Sequence, residues 1–207
     1  MRKLLLVVNP CAGQKKAKRY LLEITDTDMY AASCRSHIEE GYRKAKQAFA
    51  AIDLRKPRNP LRVGIVGEFY TAMDAFSNLE TERMLSDLGV EVHRWMTVTN
   101  RMLHYAGENN LQVKIRDYAA YTMGANSTGN IWAARDHAER GFDGIIHIKS
   151  ANCTPEIDTM AALRRVSEDY QVPILYLTFD AQTSDVGLMT RIEAFYDMLS
   201  MRKKVLV

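Results

Sequence analysis

Between residues 62 and 179, four compact apolar runs alternate with longer stretches whose apolar side chains recur at helical spacing. This alternation narrows the choice of folds more than any other feature of the chain. Strands separated by about ten or more helical residues cannot pair as tight hairpins, so they line up in parallel and the helices cover the sheet. The expected fold class is α/β, a Rossmann-like open and mainly parallel sheet with helices on both faces.

The runs at 62–67, 90–95, 142–148 and 172–179 read as the strands. A helix is expected over 72–88, with Met73, Phe76, Leu79, Met84 and Leu88 on one stripe and Gly89 closing it. Further helices are expected over 130–140, 155–170 and 186–200. The stretch 96–129 leaves room for two more and ends in the polar turn Gly124-Ala125-Asn126-Ser127-Thr128-Gly129.

Ahead of this lies Lys56-Pro57-Arg58-Asn59-Pro60, where two prolines among polar residues cannot continue a helix. It separates residues 1–60, read as a strand–helix–helix appendage, from a domain over 61–207. The appendage is expected to hold a strand over 3–8, a basic helix over 14–23 and a second helix over 36–52.

Hydrophobic residues make up 47% of the 207 and charged residues 26%, the mix of an ordinary globular chain. The net charge is +3 with only short basic runs, so the expectation is no nucleic-acid partner. The apolar run Leu4 to Val8 is too short to cross a bilayer. Three widely spaced cysteines, Cys11, Cys34 and Cys153, do not make a disulfide framework. The expected location is the cytoplasm, with no membrane contact.

Open parallel sheets bind ligands outside the carboxyl ends of their strands. Three loops qualify: 67–70, 149–156 and 180–187. In the second, Pro155 suits a first helical turn and Thr154 the N-cap before it. Cys153 then faces free N–H groups and the positive end of the helix dipole, which favour a thiolate. The same position also suits a small apolar side chain packed under a loop. Glu68 and Asp180 each follow a strand and are candidate ligand or catalytic residues. Each also suits a plain role, Glu68 capping or pairing with the next helix and Asp180 holding its own loop. His93, His104, His137 and His147 show no metal-ligand spacing, and His147, inside a strand, is read as structural. No phosphate loop of the Gly-x-x-x-x-Gly-Lys-Ser/Thr kind, no Cys-x-x-Cys pair and no Gly-x-Ser-x-Gly elbow is present.

Five ordered blocks carry a resemblance. They are Gly64-Ile65-Val66-Gly67-Glu68 with Asn78 downstream, 141–148, Asn152-Cys153-Thr154-Pro155-Glu156-Ile157, 172–180 and 190–199. Together they resemble the carboxy-terminal half of the 2-hydroxyacyl-CoA dehydratase family, in its dehydratase-activase-related branch. The resemblance implies a lyase that removes water from 2-hydroxyacyl-CoA thioesters through a ketyl radical. It also implies a [4Fe–4S] cluster with Cys153 as one ligand, flanked by Asn152 and Thr154. Glu68 and Asp180 would then be the catalytic candidates. The implied partners are a second dehydratase subunit, an ATP-dependent activator and an acyl-CoA ligand. The segment before Cys153 reads Ser150-Ala151-Asn152 where that family has Pro-Phe-Gly, and the half that supplies its other cluster cysteines has no counterpart here. A binding module for a CoA-like ligand or a partner subunit, without redox chemistry, is the alternative expectation.

Residues 5–13 with Lys16-Ala17 resemble the opening strand and turn of diacylglycerol-kinase-like lipid kinases. That family's Gly-Gly-Asp-Gly motif is nowhere in the chain, so no kinase activity is expected.

Overall fold

A computed structural model describes residues 3–6, 20–23, 34–52, 59–98, 107–124 and 126–205. Its centre is a four-stranded sheet of β3 (Arg62–Gly67), β4 (Glu91–Arg94), β5 (Gly144–Ser150) and β6 (Ile174–Phe179). The order across the sheet is β4-β3-β5-β6, and all three pairings are parallel. The open α/β fold expected from the alternation is therefore present.

Side-chain alternation along the strands builds two cores. Val63, Ile65, Ile146, Ile148 and Leu177 face one way and pack with Leu85 of α3 (Thr81–Asp87) and with Leu188 and Ile192 of α7 (Asp185–Val205). Val66 and Ile145 face the other way, against Ile131 and Ala134 of α5 (Ser127–Glu139) and Leu163 and Val166 of α6 (Thr154–Tyr170). Helices thus cover both faces, as near-continuous apolar strands require. Lys3–Leu6 (β1) and Tyr20–Glu23 (β2) form a separate antiparallel pair, and Cys34–Ala50 is α1.

Three expectations change. Residues 20–23 are strand, not the end of a basic helix, because Tyr20 to Glu23 pair in register with Leu6 to Lys3. The appendage therefore does not read strand–helix–helix. The remainder of that helix and the linker 56–58 lie outside the described residues.

The single helix over 72–88 is broken into α2 (Phe69–Met73) and α3. Asp74 accepts hydrogen bonds from the backbone and hydroxyl of Ser77, and Leu79 and Glu80 adopt positive φ. Such side-chain-to-backbone bonds compete with helix continuation. Phe76, placed on the buried stripe, is instead 86% exposed.

Finally, α5 begins at Ser127, three residues ahead of its expected start. The polar turn is thus half helix. The rest of the stretch holds α4 (Glu108–Lys114), and residues 99–106 lie outside the described ones. No described helix is long and apolar enough to cross a membrane.

Candidate functional site

The strand order places the first strand of the sheet inside it. The chain leaves β3 for β4 on one side, then returns past it to β5 on the other. In open parallel sheets ligands sit in the crevice at such a reversal point, here between the loops that follow β3 and β5. Glu68 follows β3, and Ser150 to Cys153 follow β5.

Glu68 joins the two loops. Its Oε2 accepts from the Ser150 N–H at 2.9 Å and from the Thr71 hydroxyl at 2.7 Å. Its own N–H donates to the Ile148 carbonyl at 2.8 Å. Burial pushes the carboxyl up, but the bonds from Thr71 and Ser150 outweigh it and hold it below the usual glutamate range. Both of these bonds fall on Oε2, and the Ser150 side chain adds a further bond to the carboxylate.

The turn into α6 differs from expectation by one residue. Cys153 is the N-cap and Thr154 is already helical, with Pro155 in the first turn as expected. Asn152 and Thr154 are exposed and Cys153 is half-buried. The expected thiolate is not favoured. Burial pushes the Cys153 thiol up, and the nearby Glu68 and Glu156 carboxylates add to that. The Glu156 N–H and Lys149 offset only part. The helix terminus is present, but two carboxylates oppose what it offers.

Asp180 sits at the end of β6, exposed. Its Oδ1 accepts from the Gln182 N–H at 2.8 Å and from the Thr183 hydroxyl at 3.0 Å, so it holds its own loop. The structure joins Glu68 to the β5 loop but leaves Asp180 occupied beside it.

A [4Fe–4S] cluster needs several thiolates. The described residues hold no group of three or more His, Cys, Asp or Glu side chains placed to bind a metal. Cys153 stands in a net-negative setting, Cys11 lies outside the described residues, and so does the side chain of Cys34. Among the described side chains, Cys153 is thus the one thiol, too few to hold a cluster by itself.

Beneath the crevice lies a polar network that sequence reasoning missed. Glu156, in the first turn of α6, is 2% exposed. Its Oε1 accepts from the Ser127 hydroxyl at 2.9 Å and the Asn130 amide at 2.8 Å. Its Oε2 is 2.7 Å from Nε2 of His147, which is fully buried on β5. The Asn130 amide also donates to the Gly67 carbonyl at 2.9 Å, and its oxygen accepts from Trp95 Nε1 at 3.0 Å. One signal pointed here. A histidine within an apolar strand must find a polar partner once buried. His147 lies within β5 as expected, and its partner is what was unforeseen.

A concavity of ≈ 220 Å³ lies at the opposite end of the sheet, beside Phe142, Tyr170, Gln171, Arg202 and Lys203. It adjoins the amino ends of β5 and β6, where sheets of this kind do not seat ligands.

No model of a known protein family matches the chain, and no curated protein does.

Proposed function

We propose that this domain is a binding module related to the 2-hydroxyacyl-CoA dehydratase components, seating the acyl end of a CoA thioester in the crevice between β3 and β5. One observation carries the reading. Glu68 is a half-buried carboxylate anchored through Oε2 at the reversal point of a parallel sheet. A fixed carboxylate with acceptor sites to spare suits a ligand that brings a hydroxyl donor, as a 2-hydroxyacyl group does. The protonated Cys153 thiol and the exposed Asn152 and Thr154 supply the rest of the rim.

Thermal unfolding in the presence of CoA, a short 2-hydroxyacyl-CoA and its hydroxyl-free analogue tests this. The hydroxylated thioester is expected to raise the melting temperature most, with about 2.7 kcal/mol of stabilisation at a hundredfold excess over Kd. Glu68→Gln should weaken the preference for the hydroxyl. No shift with any of the three ligands would sink the proposal.

A second reading rests on Cys153 heading the 17-residue α6. Here the thiol would be one ligand of a [4Fe–4S] cluster whose other ligands come from a partner subunit, with an ATP-dependent activator as a further partner. Iron and acid-labile sulfide, measured after anaerobic co-purification with Cys153→Ala alongside, decide it. Loss of both in the variant supports the shared cluster, and equal content in the two proteins removes it.

A further inference from the structure

We infer that Lys149 is a specificity-determining residue of the crevice: its buried ammonium donates to the carbonyl oxygen of the ligand whose hydroxyl Glu68 accepts. The site then takes a neutral carbonyl, as in a thioester, in preference to a carboxylate. This deepens the crevice reading and rests on it.

Lys149 lies near the end of β5 and is only 6% exposed. A lysine is almost never buried so deeply unless its charge is paired. Among the described residues, Lys149 makes no ion pair. Its Nζ reaches only the carbonyls of Ser150, at 3.3 Å, and Ala151, at 3.4 Å. Both contacts are longer than the roughly 2.9 Å usual for such bonds. An ammonium carries three donor hydrogens, so two long bonds leave it under-satisfied and one hydrogen without a protein acceptor. The Glu156 carboxylate close by is occupied by Ser127, Asn130 and His147.

Ser150 brings Lys149 and Glu68 together. Its N–H donates to Glu68 Oε2 at 2.9 Å, and its carbonyl is the nearer of the two that hold the ammonium. Through one residue and two hydrogen bonds, carboxylate and ammonium lie within roughly 10 Å of each other. A hydroxyl and a carbonyl on adjacent carbons, with a hydrogen bond at each outer end, span up to roughly 9 Å. One 2-hydroxyacyl group can therefore engage both. The charge of Lys149 is felt on both sides of the crevice, since it helps to lower Glu68 and offsets part of the rise of the Cys153 thiol.

The surrounding charge selects the ligand. After burial, the Glu68 and Glu156 carboxylates each act on Cys153 more strongly than Lys149 does. One ammonium among two carboxylates leaves no positive surplus for an anion. A carbonyl oxygen needs only a donor, whereas a ligand carboxylate would add a like charge beside Glu68.

Calorimetric titration of the full chain at about pH 7 tests this with two pairs of CoA derivatives. The first pair is a short 2-hydroxyacyl-CoA and the S-(2-hydroxyalkyl)-CoA thioether that lacks only the carbonyl. The second is carbamoylmethyl-CoA and carboxymethyl-CoA, which place a neutral or an anionic acceptor at the same point. Wild type should bind the thioester about tenfold more tightly than the thioether, the effect of one hydrogen bond from a charged donor. It should also prefer the amide to the acid. Lys149→Met should bind the thioether as wild type does, and the thioester no better. No binding of any probe by the wild type overturns the crevice reading and the role of Lys149 with it. Equal binding of thioester and thioether by the wild type, or a preference that survives in Lys149→Met, overturns the role of Lys149 and leaves the crevice reading standing. Tighter binding of the acid than of the amide overturns the selection for a neutral carbonyl. Should Lys149→Met not fold, the infrared carbonyl stretch of an isotope-labelled thioester on the wild type decides. A move to lower wavenumber on binding is expected, and no move or an upward one overturns the role of Lys149.

Discussion

Gly64 lies directly beneath the imidazole of His137. A Cβ built on Gly64 would come within 2.5 Å of His137 Nδ1 and 2.8 Å of its Cγ. The ring is wholly buried, with Nε2 2.7 Å from His93 Nδ1 and its face against Phe142. The space it fills is the missing side chain of β3. Gly64→Ala should therefore destabilise the domain by about 1–3 kcal/mol, the usual cost of overpacking a filled core. Chemical denaturation measures it. Combining it with His137→Ala should cost less than the sum of the two changes, because the second vacates the space the first needs.

The same ring sets an acid dependence. Burial pushes His137 down to about 3, from 6.5, and burial lowers His93 as well. In the unfolded chain both take up protons near their ordinary value, while the folded chain resists. Their contribution is complete above about pH 6.5 and is lost as the pH falls toward 3, at up to about 1.4 kcal/mol per pH unit for His137. Denaturation midpoints measured from about pH 7 to about pH 4 should show this slope, and His137→Leu should flatten it. A slope unchanged in that variant would contradict the assignment.

Cys153 should become more acidic when its carboxylate neighbour loses charge. Glu68→Gln removes a negative group that raises the thiol. The rate of alkylation against pH, in a Cys11→Ser, Cys34→Ser background, should shift to lower pH by up to about one unit. A shift to higher pH would mean that Glu68 does not act on the thiol through its charge.

Asp143 joins the first strand of the sheet to the last helix. Its Oδ2 accepts from the Arg62 N–H at 2.7 Å and from Lys203 Nζ at 2.9 Å, while Lys203 also reaches the Pro60 carbonyl at 2.8 Å. Asp143→Ala leaves the Arg62 N–H without its acceptor and Lys203 with the Pro60 carbonyl alone, both partly shielded from solvent. A loss of about 1–3 kcal/mol is expected by denaturation. Lys203→Met should cost less, because Asp143 keeps its backbone bond.

The sheet was legible because its signal is local. Runs such as Arg62-Val63-Gly64-Ile65-Val66-Gly67 state their own conformation, and the helical spacing between them states the crossover. The break at Asp74 was less legible, since the apolar stripe runs on through Phe76 while the Asp74 and Asn78 side chains redirect the backbone. Tyr20–Glu23 failed for a related reason, as its strand exists only through pairing with Lys3–Leu6. At the site, Glu68 and Cys153 were found because a strand end and a helix start mark themselves. Glu156, Asn130 and Ser127 were not, because their partners come from other elements 26 to 63 residues away. The charge on Cys153 was misjudged for the same reason. The helix terminus is a local property, whereas the opposing carboxylate of Glu68 arrives from another strand.

The central position of β3 also sets an order of assembly. β5, α6 and β6 are consecutive and pair across a single crossover, so they close a short loop. β3 reaches β5 only after about eighty intervening residues, with β4 and α5 among them, have been gathered. β3 and β4 close an equally short loop, since Arg62↔Glu91 and Ile145↔Ile174 span the same separation, so loop entropy favours forming these two pairs first and the β3–β5 seam between them last. Until it forms, the facing edges of β3 and β5 offer unpaired backbone to any neighbouring chain. The crevice exists only once this last seam has closed.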